Sequence, residues 1–159
     1  MLLAIIMRGA AGSGKSTWVK NFPKKAFIVS TDKFFIGEDG VYRFDVEKLH
    51  YNHQRAFREF QEAIKHSVPI VILDNTNIKK KDYKDYVDYA QLAGYEVVQK
   101  VCSGDYISTH DVASEIVERM KNTFQEDTDL PHFGEIHNEY INEAKITVVV
   151  VLDRLPSLR

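Results

Sequence analysis

Cysteine is nearly absent from this sequence of 159 residues, in which Cys102 is the only one. Because a disulfide framework needs several cysteines, the class of disulfide-stapled secreted domains is excluded. Long apolar runs are missing as well, since none approaches the roughly 20 residues that a membrane span requires. The first apolar run lacks the basic flank and the cleavage site of a signal peptide, so we interpret it as a core strand. A cytoplasmic, reducing compartment and no membrane partner are therefore expected.

An excess of positive charge is also missing, because the formal net charge is -2. That balance argues against a protein that coats nucleic acid, although it leaves room for a local basic groove. No internal repeat, low-complexity tract or linker interrupts the chain, and no segment predicts an obligate protein partner. With 44% hydrophobic and 28% charged residues, the length predicts a single globular domain over residues 1–159.

Five short apolar runs rich in β-formers are separated by polar or helical segments. The runs lie at residues 2–7, 26–30, 68–73, 95–101 and 146–152. Apolar residues recur at helical spacing over 46–64, 83–90, 112–124 and 136–144, with Asp45 as an N-cap of the first helix and Gly94 as the C-terminal cap of the second. Strands that alternate with helices predict a parallel sheet with helices on both faces. Such sheets bind ligands beyond the carboxyl ends of their strands.

The segment after the first run fills every position of the phosphate-binding pattern G-x-x-x-x-G-K-[ST]. It consists of Gly9, Ala10, Ala11, Gly12, Ser13, Gly14, Lys15 and Ser16, and Thr17 follows. The glycines let backbone N–H groups turn inward around phosphate oxygens, because a Cβ would block that approach. Lys15 is expected to reach the β- and γ-phosphates of a nucleoside triphosphate, and the Ser16 hydroxyl to bind Mg²⁺. The alternative is a glycine-rich turn with a purely structural role.

Polar residues follow the second and third runs, at the edge of the sheet where the phosphate loop lies. Asp32 ends the stretch Ser30-Thr31-Asp32, and Asp74 begins the stretch Asp74-Asn75-Thr76-Asn77. Asp74 suits a carboxylate that holds a Mg²⁺ water, or one that caps the strand end. Thr76 and Asn77 are candidates to hydrogen-bond a substrate or the loop itself. Both aspartates should face the phosphate loop.

Five stretches carry a resemblance to a known family: residues 8–18, 30–32, 39–45, 73–77 and, more faintly, 110–120. They resemble the P-loop kinases typified by bacteriophage polynucleotide 5′-hydroxyl kinase. They are still more similar to the P-loop ATPase domains of NEDD4-binding and myelin cyclic-nucleotide phosphodiesterase proteins. The resemblance implies a P-loop NTPase three-layer sandwich, with a five-stranded parallel sheet in the order 2-3-1-4-5 and a helical lid at about residues 103–133. It also implies that Asp32 accepts the proton of the attacking hydroxyl, a role that a carboxylate within hydrogen-bond reach can fill. The alternative for Asp32 is a turn or N-cap residue.

The predicted lid, residues 103–133, departs from the family pattern. The resemblance implies an arginine there that stabilises the transferring phosphoryl group, but only Arg119 and Lys121 stand among seven acidic residues. Arg43 and the run Lys79-Lys80-Lys81 are candidates to grip a substrate, and the lysines equally suit a solvated surface. Phe34, Phe35, Tyr42 and Phe44 suit stacking on a base or packing under a flap.

The sequence therefore predicts a kinase that uses ATP and Mg²⁺ to phosphorylate a hydroxyl, with the 5′-OH of a nucleic acid end as the expected acceptor. The residues assigned are Lys15 and Asp32 for catalysis, residues 9–17 for the phosphates, Ser16 and Asp74 for the metal, and Arg43, Thr76 and Asn77 for the substrate. Two alternatives stay open: a nucleotide or small-molecule kinase with the same machinery, and an ATP-binding module with weak or no transfer. Asp32 favours an enzyme, and the acidic lid favours the module.

Overall fold

A parallel β-sheet is the central feature of the fold. The computed structural model describes residues 1–107 and 110–143, and within these residues the sheet has four strands in the order β2-β3-β1-β4. The strands are β1 (Leu3–Arg8), β2 (Phe27–Val29), β3 (Ile70–Asp74) and β4 (Glu96–Val101), and all pairs are parallel. The predicted parallel sheet and the order of its first four strands are confirmed. The fifth predicted strand, at residues 146–152, lies outside the described residues.

β1 lies in the interior of the sheet because nearly its whole sequence is apolar, and all six of its residues are buried. Successive side chains of a strand point to opposite faces, so a continuous apolar run can contribute to two cores at once. Ala4 and Ile6 pack into the cluster on one face, whereas Leu3, Ile5 and Met7 pack into the cluster on the other. β1 thereby joins the two hydrophobic layers.

Helices cover both faces of the sheet, as predicted. The described residues form α1 (Lys15–Lys20), α2 (Leu49–Lys65), α3 (Lys84–Leu92), α4 (Ser114–Thr123) and α5 (Glu135–Glu143). Phe60 of α2 and Tyr86 of α3 belong to one core cluster, and Val19 of α1 and Ile141 of α5 belong to the other. Burying one such side chain contributes roughly 1.5–3 kcal/mol, so both layers stabilise the sheet. In the part of the chain that is described, no helix combines the length and the apolar character needed to cross a membrane.

Two helix ends follow the local sequence. The Asp45 carboxylate accepts a hydrogen bond from the backbone N–H of Glu47 at 3.0 Å, and so caps a 3-10 turn at Val46–Lys48. The cap is confirmed, but the α-helix begins only at Leu49, because the capped turn precedes it. Gly94 follows α3 with a φ of 86°, the left-handed conformation expected of a C-terminal cap glycine.

The carboxyl ends of the strands meet at one edge of the sheet. There β1 runs into the phosphate loop, β2 into a 3-10 turn at Asp32–Phe35, β3 into residues 75–77, and β4 into the predicted lid. Residues that are distant in sequence therefore become neighbours at this edge.

Candidate phosphate-binding and catalytic site

The predicted phosphate loop, residues 9–17, joins β1 to α1. Its glycines have positive φ angles, with Gly9 at 150°, Gly12 at 78° and Gly14 at 101°. A Cβ added at Gly9 would lie 2.3 Å from the carbonyl oxygen of Cys102, which leaves no space for it. Because other residues rarely adopt these angles, glycine is required here. The backbone therefore has the shape that a cradle for phosphate oxygens needs.

Lys15 extends back into this loop. Its Nζ donates hydrogen bonds to the carbonyl oxygens of Gly9 and Ala10, both at 2.9 Å, and the residue is only 8% exposed. Burial lowers the pKa of Lys15, and the negative charge of Asp74 opposes this effect. The ammonium group therefore lies against the backbone of the loop.

The residues that follow β4 support one side of the loop. The backbone N–H of Gly104 donates to the carbonyl of Ser13 at 3.0 Å, and that of Tyr106 donates to the carbonyl of Gly12 at 2.8 Å. A Cβ at Gly104 would lie 2.9 Å from the same Ser13 oxygen, so glycine permits this close approach. No motif in the sequence indicates this support, because the contacting segments are far apart in the chain.

The residues that follow β3 support the other side. The carbonyl of Thr76 accepts a hydrogen bond from the backbone N–H of Gly9 at 2.9 Å. The Asn77 side-chain amide donates to the carbonyl of Met7 at 2.7 Å, and Asn77 is buried with a φ of 47°. This contact is with the end of β1, directly before the loop, so it fits a structural role for Asn77. The Asn75 carboxamide oxygen accepts from the backbone N–H of Thr31 at 3.0 Å and so links this turn to the one after β2.

Asp32 and Asp74 share one electrostatic environment with Lys15. Asp74 ends β3 and is half-buried, and this burial raises the pKa of its carboxyl. The positive charge of Lys15 lowers the pKa of Asp74, whereas the negative charge of Asp32 raises it. Asp32 begins the 3-10 turn after β2, and 51% of its side chain is exposed. The fold therefore brings together a buried cation, a half-buried acid and an accessible acid.

His110 is a neighbour of Asp32 that we did not predict from the sequence. Its Nε2 lies 3.5 Å from Oδ2 of Asp32. The imidazole ring also stacks on Tyr42, with 4.1 Å between the ring centroids and an interplanar angle of 30°. The contact was not predicted because His110 falls in the faintest part of the resemblance. Hydrophobic periodicity also gives no information about contacts between the predicted lid and the turn after β2.

Arg43, predicted to contact substrate, forms a two-pronged ion pair with Asp39. The nitrogen–oxygen distances are 2.6 Å and 3.0 Å, and both side chains are exposed. Among the described residues, the Arg43 side chain thus contacts Asp39, four residues earlier in the chain, and lies close to Gly37. Lys80 and Lys81 are exposed in a 3-10 turn at Lys80–Asp82, which agrees with either interpretation of the lysine run.

Arg8, at the end of β1, has a structural role that the sequence did not indicate. The residue is fully buried, and burial lowers the pKa of its guanidinium. The group donates to the carbonyls of Asn77, Ile78 and Gln125 and to the side-chain oxygen of Gln99, at 2.6 to 3.2 Å. The rings of Tyr83 and Phe124 lie 4.7 Å and 4.4 Å from its Cζ. Arg8 therefore ties β1 to the turn after β3 and to the end of α4.

Ser16 and Asp74 are the candidates for a Mg²⁺ site. Ser16 is exposed at the start of α1, and Asp74 is half-buried at the same sheet edge. Residues 1–107 and 110–143 contain no cluster of three His, Cys, Asp or Glu side chains that could hold a metal by itself. Mg²⁺ at phosphate sites uses one or two protein oxygens together with phosphate oxygens and water. Ser16 and Asp74 fit that pattern beside a loop whose glycines have the shape of a phosphate cradle.

Comparison with known proteins identifies relatives of the chain. A family model described as an AAA domain matches residues 4–131. Human NEDD4-binding protein 2 is 33% identical over 100 residues, which cover 61% of this chain. The match covers 6% of that relative, so the chain corresponds to a small part of the human protein. The predicted resemblance to the P-loop domain of a NEDD4-binding protein is confirmed.

Two solved structures have a similar fold. Kti12 from Chaetomium thermophilum, in complex with ADP-AlF3, matches with a TM-score of 0.54 and 16% identity over 87% of this chain and 94% of that chain. A chain of the Pnkp1/Rnl/Hen1 complex matches with a TM-score of 0.54 and 21% identity over 83% of this chain and 43% of that chain. At such identities the likeness shows the fold alone, which is the predicted α/β arrangement of P-loop proteins.

Proposed function

The chain belongs to the AAA domain family, and we propose that it is an ATP-dependent kinase whose acceptor is the 5′-OH of a nucleic acid end. One observation carries this proposal. Lys15, buried in a complete phosphate loop, shares its electrostatic environment with the half-buried Asp74 and the accessible Asp32. A module that only bound nucleotide would need the loop and a metal-side acid, but not a second, accessible carboxylate. Asp32 is therefore assigned to the acceptor.

Each charged residue has its own part in the proposed reaction. Lys15 and the backbone N–H groups of residues 9–17 bind the phosphate oxygens and stabilise the charge that develops on them. Asp32 accepts the proton of the acceptor hydroxyl while the hydroxyl oxygen bonds to the γ-phosphorus and the bond from that phosphorus to the bridging oxygen breaks. Ser16 and Asp74 would hold Mg²⁺, which would supply positive charge to the phosphate oxygens. The products are the phosphorylated acceptor, ADP and a proton, which Asp32 releases.

The proposal of a nucleic acid end rests on the family motifs around both aspartates and on the aromatic residues that follow Asp32. Phe35 lies 6.1 Å from Tyr42 and 5.2 Å from Phe44, measured between ring centroids. Phe44 is 57% exposed, so it presents a ring surface on which a base could stack. A terminal nucleoside could thus be held beside Asp32, the proposed general base.

Two cations that are already engaged in ion pairs favour the alternatives. Asp39 already engages Arg43, which reduces the positive charge available to a nucleic acid backbone and favours a nucleotide or another small acceptor. In the predicted lid, Lys121 lies 3.6 Å from Asp105 and 3.5 Å from Glu118. Because its charge is engaged there, Lys121 is less available to a transferring phosphoryl group, which favours an ATP-binding module with weak transfer.

A labelling experiment tests these proposals. The protein is incubated with γ-labelled ATP and Mg²⁺, in parallel with 5′-OH DNA, 5′-OH RNA, nucleosides, nucleoside monophosphates or no acceptor. We expect label on oligonucleotide 5′ ends, and we expect Asp32→Asn to reduce the rate by roughly 10²- to 10⁴-fold, the usual contribution of a general base. Asp85→Asn, which removes an exposed carboxylate from α3, is the matched control and should leave the rate unchanged.

The outcomes separate the three functions. Label only on a nucleoside or a nucleoside monophosphate would overturn the nucleic acid acceptor and leave a small-molecule kinase. ATP binding without label on any acceptor would establish the binding module, provided that Lys15→Ala abolishes the binding. Full activity of Asp32→Asn would show that Asp32 is not the base.

A further inference from the structure

Three segments meet at the carboxylate of Asp32. The first is its own 3-10 turn after β2, and the second is the hairpin at residues 36–42, where Ile36 and Tyr42 form an antiparallel bridge. The third is the predicted lid, which contributes His110. Of these three, only the turn after β2 is required by the function proposed above. The other two contacts need a separate explanation.

Tyr42 provides a fixed platform at this junction. The hairpin is closed by backbone hydrogen bonds from Gly37 to the carbonyl of Val41 at 3.0 Å and from Arg43 to the carbonyl of Phe35 at 2.9 Å. The Tyr42 ring packs edge-on against Phe35, which is 5% exposed. His110 stacks on this anchored ring with its Nε2 3.5 Å from Oδ2 of Asp32. The position of the imidazole is therefore set by packing as well as by charge.

The Asp32 carboxylate needs such a restraint. Half of its side chain is exposed, and solvent alone would not fix its orientation. A base that must reach a hydroxyl proton works only within hydrogen-bond distance, and a misplacement of about 1 Å can cost 10²-fold in rate. Tyr42 approaches the carboxylate from the hairpin, and His110 approaches it from the predicted lid. The pKa of the Tyr42 hydroxyl is raised mainly by burial, and also by the negative charge of Asp32 and a hydrogen bond to that carboxylate.

We propose that His110 is a positioning residue for Asp32, which it holds from the lid side while its ring rests on Tyr42. This inference rests on the proposed function, because it takes Asp32 as the base. Asp32 lies in direct contact with His110, and the charges of His110 and Lys15 both act on the carboxyl of Asp74. A proton on Nε2 is present in the imidazolium and in one neutral tautomer, and in either form that N–H points its positive end at the carboxylate. The contact also fixes the predicted lid against the hairpin on the acceptor side of the site.

Substitutions that separate the two contacts of His110 test this role. His110→Gln keeps an amide N–H near the place of Nε2, His110→Asn is as polar but too short to reach it, and His110→Phe keeps the ring on Tyr42 without a donor. Rates are measured with γ-labelled ATP and the acceptor that the wild type labels. We expect His110→Asn and His110→Phe to lower kcat by roughly 10- to 100-fold with the KM for ATP unchanged, and His110→Gln to stay within about 3-fold of the wild type.

A purely structural role predicts a different pattern. In that case all three variants would change thermal stability and the KM for ATP together, and His110→Gln would not recover kcat. The inference would be overturned if kcat were the same in the wild type, His110→Asn and His110→Gln while Asp32→Asn was inactive. If instead Asp32→Asn retains full activity, or the wild type labels no acceptor, the proposed function fails and this inference fails with it.

Discussion

The ionised form of Asp74 that the proposed function needs lowers the stability of the protein. Its carboxyl is half-buried, and burial raises its pKa even though Lys15 acts in the opposite direction. When folding raises the pKa of a carboxyl, ionising that carboxyl costs more free energy in the folded state than in the unfolded state. Ionised Asp74 therefore lowers the free energy of unfolding at neutral pH, and this loss disappears as the pH falls through the raised pKa. A metal-side acid must be ionised, so the proposed function explains why the loss is tolerated.

Asp74→Asn should accordingly make the nucleotide-free protein more stable and less active. We expect its Tm to exceed that of the wild type at pH 7, and the difference to shrink as the pH is lowered through the raised pKa, because the wild-type carboxyl then also takes up a proton. Phosphoryl transfer should fall by roughly 10²-fold or more, because the proposed Mg²⁺ site loses its carboxylate. Thermal unfolding over a pH series with chelator, and the labelling assay with Mg²⁺, measure the two effects. Asp85→Asn is the control, and a Tm below that of the wild type at pH 7 would contradict the prediction.

The predictable residues of the site are those whose place follows from a local rule. Lys15 has a fixed position in a loop motif, and Asp32 and Asp74 follow strands whose ends share one edge of the sheet. Asn77 shows the limit of such rules, because the sequence suits a contact with substrate as well as one with the loop. In the structure its φ is 47°, and its side chain donates to the carbonyl of Met7. His110 could not be placed, since its contact with Asp32 depends on the path of a polar segment.

Among the elements, β1, the turn after β3 and α4 are joined through the single guanidinium of Arg8. Four oxygen acceptors and two aromatic rings surround this fully buried group. A buried guanidinium is tolerated only when its donors are satisfied, and the planar fork of arginine can reach acceptors on several segments at once. The end of the predicted lid and the residues that support the phosphate loop are thereby held by the same side chain.

Arg8→Met should test this junction, because methionine is apolar and flexible but leaves the carbonyls without donors. We expect the free energy of unfolding to fall by about 3 kcal/mol, since unsatisfied buried polar groups cost roughly 1–3 kcal/mol each. Arg8→Lys should recover only part of the loss, because an ammonium cannot reproduce the fork. Urea unfolding measures both variants. Arg58→Met, at an exposed position of α2, is the control and should stay within about 0.5 kcal/mol of the wild type. An equally small effect of Arg8→Met would refute the role of the junction.

The predicted strands and helices match the observed elements where hydrophobic periodicity is strong, and their bounds shift where turns intervene. The run at residues 68–73 predicts a strand that the structure places at Ile70–Asp74, because Val68 and Pro69 belong to the connection from α2. The helix predicted from residue 112 begins at Ser114, since Asp111 has a φ of 50° and the chain is not helical there. Periodicity reports which face is buried, but it does not report where a turn ends.

For the whole molecule, alternation of strands and helices was enough to predict the layers. Parallel strands need crossover connections, and the apolar character of β1 on both faces requires a helix layer on each side. The path of the predicted lid could not be derived in the same way. Residues 102–106 are held by backbone hydrogen bonds to Arg8, Gly12 and Ser13, and backbone groups carry no sequence signal.

The overall charge of the molecule limits how it can grip a nucleic acid. With a net charge of -2 and Arg43 engaged by Asp39, only a few phosphates can be neutralised. The nearest candidates after β3 are Lys79, which is partly buried, and the exposed Lys80 and Lys81. Binding to a single strand releases about 0.7 counterions for each phosphate neutralised. Contact with one or two phosphates therefore predicts a weak salt dependence and little gain from a longer acceptor.

We expect the logarithm of KM for a 5′-OH oligonucleotide to rise with the logarithm of salt concentration with a slope of about 1, and KM to be nearly constant beyond a few nucleotides. Replacing Lys79, Lys80 and Lys81 by Gln should lower that slope by roughly 0.7 for each phosphate that they contact, and should leave it unchanged if they form only a solvated surface. The KM for ATP, measured in the same salt series, is the control for effects on the phosphate loop. A slope of about 5 or more would contradict recognition of an end, because it requires many backbone contacts, and the acceptor would then be an extended strand gripped along its length.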